Sequence, residues 1–201
     1  MTCMGAYFTS RKDVMFCHTI TLLIIFTMYF SGGMIPFYMT VKGLGLENSL
    51  FSLIIPGAIS TFNLIVLRTA FASIPPALEE SARLDGAGHW RILIQIVIPL
   101  SKASLSVVAL YYAVQHWNAW FNAMLFLKDR ELFPLQLVLR EILIQNDTSS
   151  MTQMVDAGNS SFIGETVKYA VIIVSVVPIL CIYPFIQKYF EKGVMIGAVK
   201  G

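Results

Sequence analysis

Long uncharged stretches recur along this chain. Residues 14–41 run from Asp13 to Lys42 without an Asp, Glu, Lys or Arg, and residues 48–67 do the same between Glu47 and Arg68. Two more stretches, 103–127 and 169–187, lie between Lys102 and Lys128 and between Lys168 and Lys188. A helix that crosses a bilayer needs about 20 mostly apolar residues, so each stretch is predicted to be a span. Four buried helices of that length in 201 residues would leave a soluble fold almost no polar surface. The expectation is an all-α integral membrane protein, with residues 1–201 forming one transmembrane domain.

Composition sharpens this picture. Apolar and aromatic residues make up 56% of the chain and charged residues only 13%, about half the usual share; the mean hydropathy is +0.70. A formal charge of +2 without a dense Lys/Arg cluster gives no reason to expect nucleic acid. Cys3, Cys17 and Cys181 are odd in number and lack paired spacing, which argues against a disulfide framework or a zinc site. His18, His89 and His116 share no metal-ligand spacing, and no nucleophile–base pairing is visible, so neither an enzyme nor a bound cofactor is predicted. Arg11, Lys12 and Asp13 precede the first apolar stretch and no cleavage-type site follows it, unlike a signal peptide.

Flanking charge suggests an orientation. Arg11, Lys12, Arg68, Arg83, Arg91, Lys102, Lys188, Lys192 and Lys200 fall on one side of a four-span arrangement; Lys42, Lys128, Arg130, Arg140 and Lys168 fall on the other. The richer side is expected to be cytoplasmic, and with it both termini and the loop between the second and third spans. Gly32, Gly33 and Pro36 interrupt the first span, and Pro56 with Gly57 interrupts the second. Such breaks suit either a transport route or simple packing kinks. In the outer segment, 128–168, residues 134–144 place Leu135, Val138, Leu139 and Ile142 at helical spacing, predicting an amphipathic helix in the interface. Residues 145–161 are polar and small, and read as a loop.

Residues 73–99 carry the most local information. Ser73 is expected to cap a helix that Pro75 and Pro76 start, with Glu79 and Glu80 near its positive end. Gly86 and Gly88 flank Ala87 and permit a sharp turn, and a second helix over 89–98 is expected to stop at Pro99. The product is a stiff helix–turn–helix projecting from the membrane.

This segment resembles the cytoplasmic loop of permease subunits of ATP-binding-cassette importers, which share Glu-Ala-Ala, three residues, Gly, nine residues, Ile, one residue and Leu-Pro. Here Glu80-Ser81-Ala82 is followed at those spacings by Gly86, Ile96, Ile98 and Pro99, and Asp85-Gly86-Ala87 matches the extended form. Ser81 replaces Ala and Ile98 replaces Leu. The resemblance implies a MetI-like helical bundle whose loop docks in a cytoplasmic ATPase subunit. Glu80 would pair with a basic group there, and Leu78, Ala82 and Leu84 would offer apolar contact. It further implies a second permease subunit, two ATPase subunits and an extracytoplasmic solute-binding protein as partners. No GxxxxGK[ST] phosphate loop occurs in the chain itself.

Other segments resemble the carbohydrate-type permeases, in particular the shorter permease of the maltose importer. These are the stretch from Ala6 to Asp13, the stretch from Phe26 to Pro36, the Trp117-Asn118 pair and the ending from Gly193 to Gly201. The implied cargo is a carbohydrate, of oligosaccharide type. The implied bundle has six spans, so the four counted here suggest an N-terminally truncated chain. The resemblance also implies that Lys200 and Gly201 reach the ATPase interface, the alternative being a loose terminus.

Within the third span, Tyr111, Gln115, Asn118 and Asn122 step by four, three and four, which puts them on one face of a continuous helix. Their amides and hydroxyl suit a sugar path, and they equally suit hydrogen bonds between helices. Two alternatives stay open: the same importer with amino-acid, peptide or oxyanion cargo, and a secondary transporter. The second is opposed by the lack of Asp, Glu, Lys and Arg in all four stretches.

Overall fold

The computed structural model describes residues 1–11, 13–152 and 166–184. Among them the regular structure is helical throughout. The helices are α1 (Thr2–Ser10), α2 (Cys17–Tyr29), α3 (Met34–Gly43), α4 (Phe51–Ile54), α5 (Thr61–Ala72), α6 (Pro76–Leu84), α7 (His89–Leu100), α8 (Lys102–Trp117), α9 (Trp120–Phe126), α10 (Leu135–Thr152) and α11 (Thr166–Pro184). Of these, α11 alone is long and apolar enough to cross a membrane unaided, and three bent helix pairs reach the same length and composition.

Each break has a local cause. The first predicted span divides between α2 and α3, where Phe30 is extended and Gly33 has φ 89°, a value natural for glycine. The second divides at residues 55–60, and α5 starts afresh behind Ser60, whose hydroxyl accepts the amide N–H of Asn63 at 3.5 Å. That helix continues past Arg68 to Ala72, beyond the boundary that charge suggests. The third predicted span is also two helices, because α8 ends at Trp117 and α9 begins at Trp120. Asn118 closes α8, its Nδ2 donating to the Val114 carbonyl at 3.0 Å. Beyond Pro134 the amphipathic helix does form, but α10 runs on to Thr152, through residues expected to be loop.

The described residues divide into two compact units, 1–37 with 55–113 and 38–54 with 114–184. In the first, α1 lies along α5. A Cβ on Gly5 would stand 3.1 Å from Leu64 Cδ1, so the absence of a side chain there permits the close approach. Ala6, Tyr7, Leu67, Phe71, Ile92, Leu93, Val97 and Val108 form its buried core, drawn from α1, α5, α7 and α8. Polar ties complete the seam. Arg68 Nε donates to the Thr9 carbonyl at 2.9 Å, a cation at the C-terminal end of α1. The Tyr112 hydroxyl lies 2.7 Å from the Thr2 hydroxyl and accepts the Ser60 N–H at 2.8 Å.

In the second unit Ala123, Leu127 and Leu137 form a smaller core, flanked by Leu53, Trp120, Leu132 and Phe133. Asn48 staples it. Its backbone is left-handed, at φ 56°, and its N–H donates to the Phe126 carbonyl at 2.9 Å. Its Oδ1 accepts the N–H groups of Lys128 and Asp129 at 2.9 and 3.0 Å. Its Nδ2 donates to Asp129 Oδ2 at 2.7 Å. Outside the cores, α2 and α11 expose large apolar side chains such as Leu22, Leu23, Phe26, Ile172, Ile173 and Leu180. Water does not tolerate a surface of that kind, whereas lipid or partner helices cover it.

Candidate functional site

The helix–turn–helix of residues 73–99 is present, built from α6 and α7. Helix α6 leaves α5 at a 73° bend, and α7 meets α8 at 87°. Ser73 does not cap α6. Its hydroxyl donates to the Ala70 carbonyl, at 2.8 Å, and closes α5, while Pro75 stands at the N-cap of α6 without a side-chain bond. Proline suits that start because the first helical N–H groups have no intrahelical partner.

The turn after α6 explains three motif residues. Gly86 has φ 80°. The Ala87 N–H bonds the Ala82 carbonyl at 2.9 Å and the Gly86 N–H bonds the Arg83 carbonyl at 3.0 Å. Together these are a Schellman termination, in which a left-handed residue just past the helix lets two orphan carbonyls be satisfied. Ala82 and Ala87, the two ends of the outer bond, both pack against the buried core. Ala82, expected to offer outward contact, is half-buried and gives part of its surface to its own chain. The outward apolar groups on α6 are Leu84, 89% exposed, and Leu78, 44% exposed. Glu80, Ser81 and Asp85 are exposed beside them.

Helix α7 does not stop at Pro99. Leu93–Val97 forms a π turn, and the helix continues to Leu100. Proline lacks an N–H and its ring crowds the carbonyl four residues back; the wider turn accommodates both. Ile96 is half-buried in the π turn and Pro99 is exposed.

The adjacent glutamates part company. Glu79 is buried and ion-pairs with Arg11. The Arg11 guanidinium also lies over the Tyr7 ring, 4.1 Å from its centroid, while its Nε and Nη2 have no partner among the described residues. Burial pulls the Arg11 pKa below its ordinary value, opposed by Tyr7 and Asp13. Arg83 Nη2 donates to Asp13 Oδ2 at 3.0 Å, and that hydrogen bond holds the Asp13 carboxyl below its usual range. A cleft of about 390 Å³ runs beside these groups, edged by Ser10, Phe71, Ile74 and Glu80. The sequence reading missed Arg11, Glu79, Asp13 and Arg83 as a set; their alternating charge was the only signal.

The polar stripe of the third span is not one helix face. Tyr111 and Gln115 are exposed on α8, and Tyr111 tilts against Phe62 with ring centroids 5.8 Å apart. Asn118 terminates α8, and Asn122 sits on α9, half-buried, in a separate helix. Trp117 anchors α11 by donating from Nε1 to the Ser175 carbonyl at 3.1 Å. Lys200 and Gly201 lie outside the described residues.

Residues 14–196 match the family described as binding-protein-dependent transport system inner membrane component. Over 197 residues the chain is 45% identical to the polygalacturonan/rhamnogalacturonan transport system permease protein YtcP of Bacillus subtilis, covering 98% of this chain and 68% of that one. It is 43% identical over 196 residues to the protein LplC of the same organism, covering 98% of this chain and 66% of that one. Among solved structures, it is similar to a bacterial ABC transporter involved in the import of the acidic polysaccharide alginate, with a TM-score of 0.81 and 36% identity over 94% of this chain and 67% of the other. The chain thus spans about two thirds of the length of these relatives. With a helical fold matched in a solved ABC transporter and a family match over most of its length, the chain belongs to the binding-protein-dependent transport system inner membrane components.

Proposed function

We propose that this chain is a transmembrane permease subunit of an ATP-binding-cassette importer for oligosaccharides, and that the α6–α7 hairpin is its contact with a separate ATPase. The observation that carries this reading is the hairpin's division of labour. Ala82, Gly86 and Ala87 build a rigid turn on the chain's own core, and Leu78, Glu80, Leu84 and Asp85 are left outward. A rigid projection with apolar knobs and a free carboxylate suits a cleft that offers an apolar wall and a base. Ile96 and Pro99 belong to the supporting helix. The hairpin, both termini and the tail at Lys200 and Gly201 face the cytoplasm in this reading, and the 128–168 segment faces outward.

The remaining partners are a second permease, a second ATPase copy and an extracytoplasmic binding protein, with membrane lipid around α2 and α11. Two relatives carry the acidic polymers of their names, polygalacturonan/rhamnogalacturonan and alginate. Their likeness supports a uronate-bearing oligosaccharide as cargo. Tyr111, Gln115 and Asn122 are the proposed path-lining groups, with Asn118 shaping the break between their helices. Non-sugar cargo is the competing reading. A cysteine at Leu84 in the full importer tests the hairpin: it should cross-link to the ATPase in a nucleotide-dependent manner. Labelling of that cysteine from outside the cell, or no cross-link in any nucleotide state, would falsify the assignment. Uptake of labelled oligogalacturonate against neutral oligosaccharide and peptide tests the cargo.

A further inference from the structure

Two ion pairs cross from the elbow between α1 and α2 to the inner side of α6. Arg11 meets Glu79 with only 12% and 10% of their side chains exposed. One turn along α6, Arg83 bonds Asp13 at 3.0 Å near the surface. Glu79 and Arg83 are four apart, so one helix face presents an acid and then a base. The elbow answers with a base and then an acid. This crossed order defines a register, because sliding α6 by one turn would bring Arg83 against Arg11, like against like.

The elbow itself is firmly held. Tyr7, in the buried core, backs the Arg11 guanidinium. Arg68 grips the Thr9 carbonyl from α5, and Cys17 Sγ, at the start of α2, donates to the same carbonyl at 3.1 Å. A buried ion pair adds little net stability against hydrophobic packing, since desolvation offsets its attraction. What it supplies is a single allowed geometry.

From this juxtaposition we infer that Arg11 and Glu79 are positioning residues that carry a displacement of α6 into α1 and α2, with Asp13 and Arg83 fixing the register of the link. The inference rests on the hairpin being the ATPase contact. Without the tie, α6 is joined to the bundle by the Ala82–Ala87 patch and two short connections, and bending of the hairpin absorbs a push that should reach the spans.

The test uses the full importer in proteoliposomes with its binding protein and substrate. It reads the substrate moved per ATP hydrolysed, alongside the cross-link from Leu84→Cys to the ATPase. Arg11→Gln and Glu79→Gln should each lower that ratio about tenfold while the cross-link persists. The charge exchange Arg11→Glu with Glu79→Arg should return it to within about threefold of wild type. Asp13→Asn, which strands no buried charge, should lower it about twofold and is read even where the buried variants fail to assemble. An unchanged ratio in the assembled variants overturns the inference. So does a proportional fall of uptake and hydrolysis together, or an exchange no better than either single change. Loss of the Leu84→Cys cross-link in the otherwise wild-type importer instead removes the ATPase-contact reading beneath it.

Discussion

The elbow–hairpin region and the Asn48 staple both join distant parts of the chain through polar groups, yet they do so by opposite means. At the hairpin the join is a buried pair of full charges, Arg11 with Glu79. At the staple it is a neutral side-chain amide making three hydrogen bonds, with a fourth from its own backbone N–H, and ion pairs only around it at the surface: Lys128 with Glu47 at 3.0 Å and Arg130 with Glu141 at 3.5 Å. A neutral amide satisfies backbone groups cheaply, whichever way its surroundings adjust. A buried charge that loses its partner is left uncompensated, at far greater cost. The staple is built to hold, and the elbow to hold in one register.

That contrast can be broken experimentally, and the largest effect belongs to the buried charge. Glu79→Gln leaves Arg11 buried and unpaired, and should destabilise the detergent-solubilised protein by about 3–5 kcal/mol in denaturant titrations. A loss under 1 kcal/mol would mean that water reaches the pair. Next comes Asn48→Ala, which removes the side-chain bonds and puts a Cβ residue without a polar group in a left-handed conformation; about 2–3 kcal/mol is expected. Asn48→Gly, which keeps the conformation, should cost clearly less, and equal losses would show that the hydrogen bonds alone matter. Gly86→Ala strains the hairpin turn by about 1–2 kcal/mol, with Gly86→Asn milder, as read from the shift in unfolding midpoint.

The surface ion pair should matter least. Hydrogen bonds from Lys128 and then Tyr38 lower the Glu47 pKa, so its contribution is present above the ordinary value of 4.5 and lost as the pH falls through the lowered one. The Lys128 pKa is raised by Glu47, so its contribution is present below 10.5 and lost as the pH rises through the raised value. The small difference between wild type and Glu47→Gln should therefore be flat between these limits, vanish in acid and shrink with salt. A difference that persists after Glu47 is fully protonated would assign the effect to something other than the pair.

Particular residues show how far the sequence could be read. The spacing from Glu80 to Pro99 marked the hairpin, and Gly86 marked its turn, because only a glycine sits easily at φ 80°. Which of two adjacent glutamates turns inward was not legible, since a nine-residue helix with mixed faces sets no phase for residues 79 and 80 until its packing partner is known. Asn48 was hidden for a similar reason: its bonds reach 80 residues along the chain. The break between α8 and α9 carries no Gly or Pro, only Asn118, whose side chain competes for the helix's own carbonyls. Charge boundaries also misled at Arg68, which lies within α5 with its Nε donating to the Thr9 carbonyl at the end of α1.

The Schellman turn has a consequence for how such a hairpin diverges. Because Ala82 and Ala87 are committed inward while Leu78 and Leu84 are not, nine residues of α6 answer to two separate masters. Drift on the inner side must track the fold of this chain, and drift on the outer side should track the ATPase proposed to grip it. Under the proposed ATPase contact, exchanging Leu78, Glu80 and Leu84 should change partner preference without re-engineering the bundle that carries them.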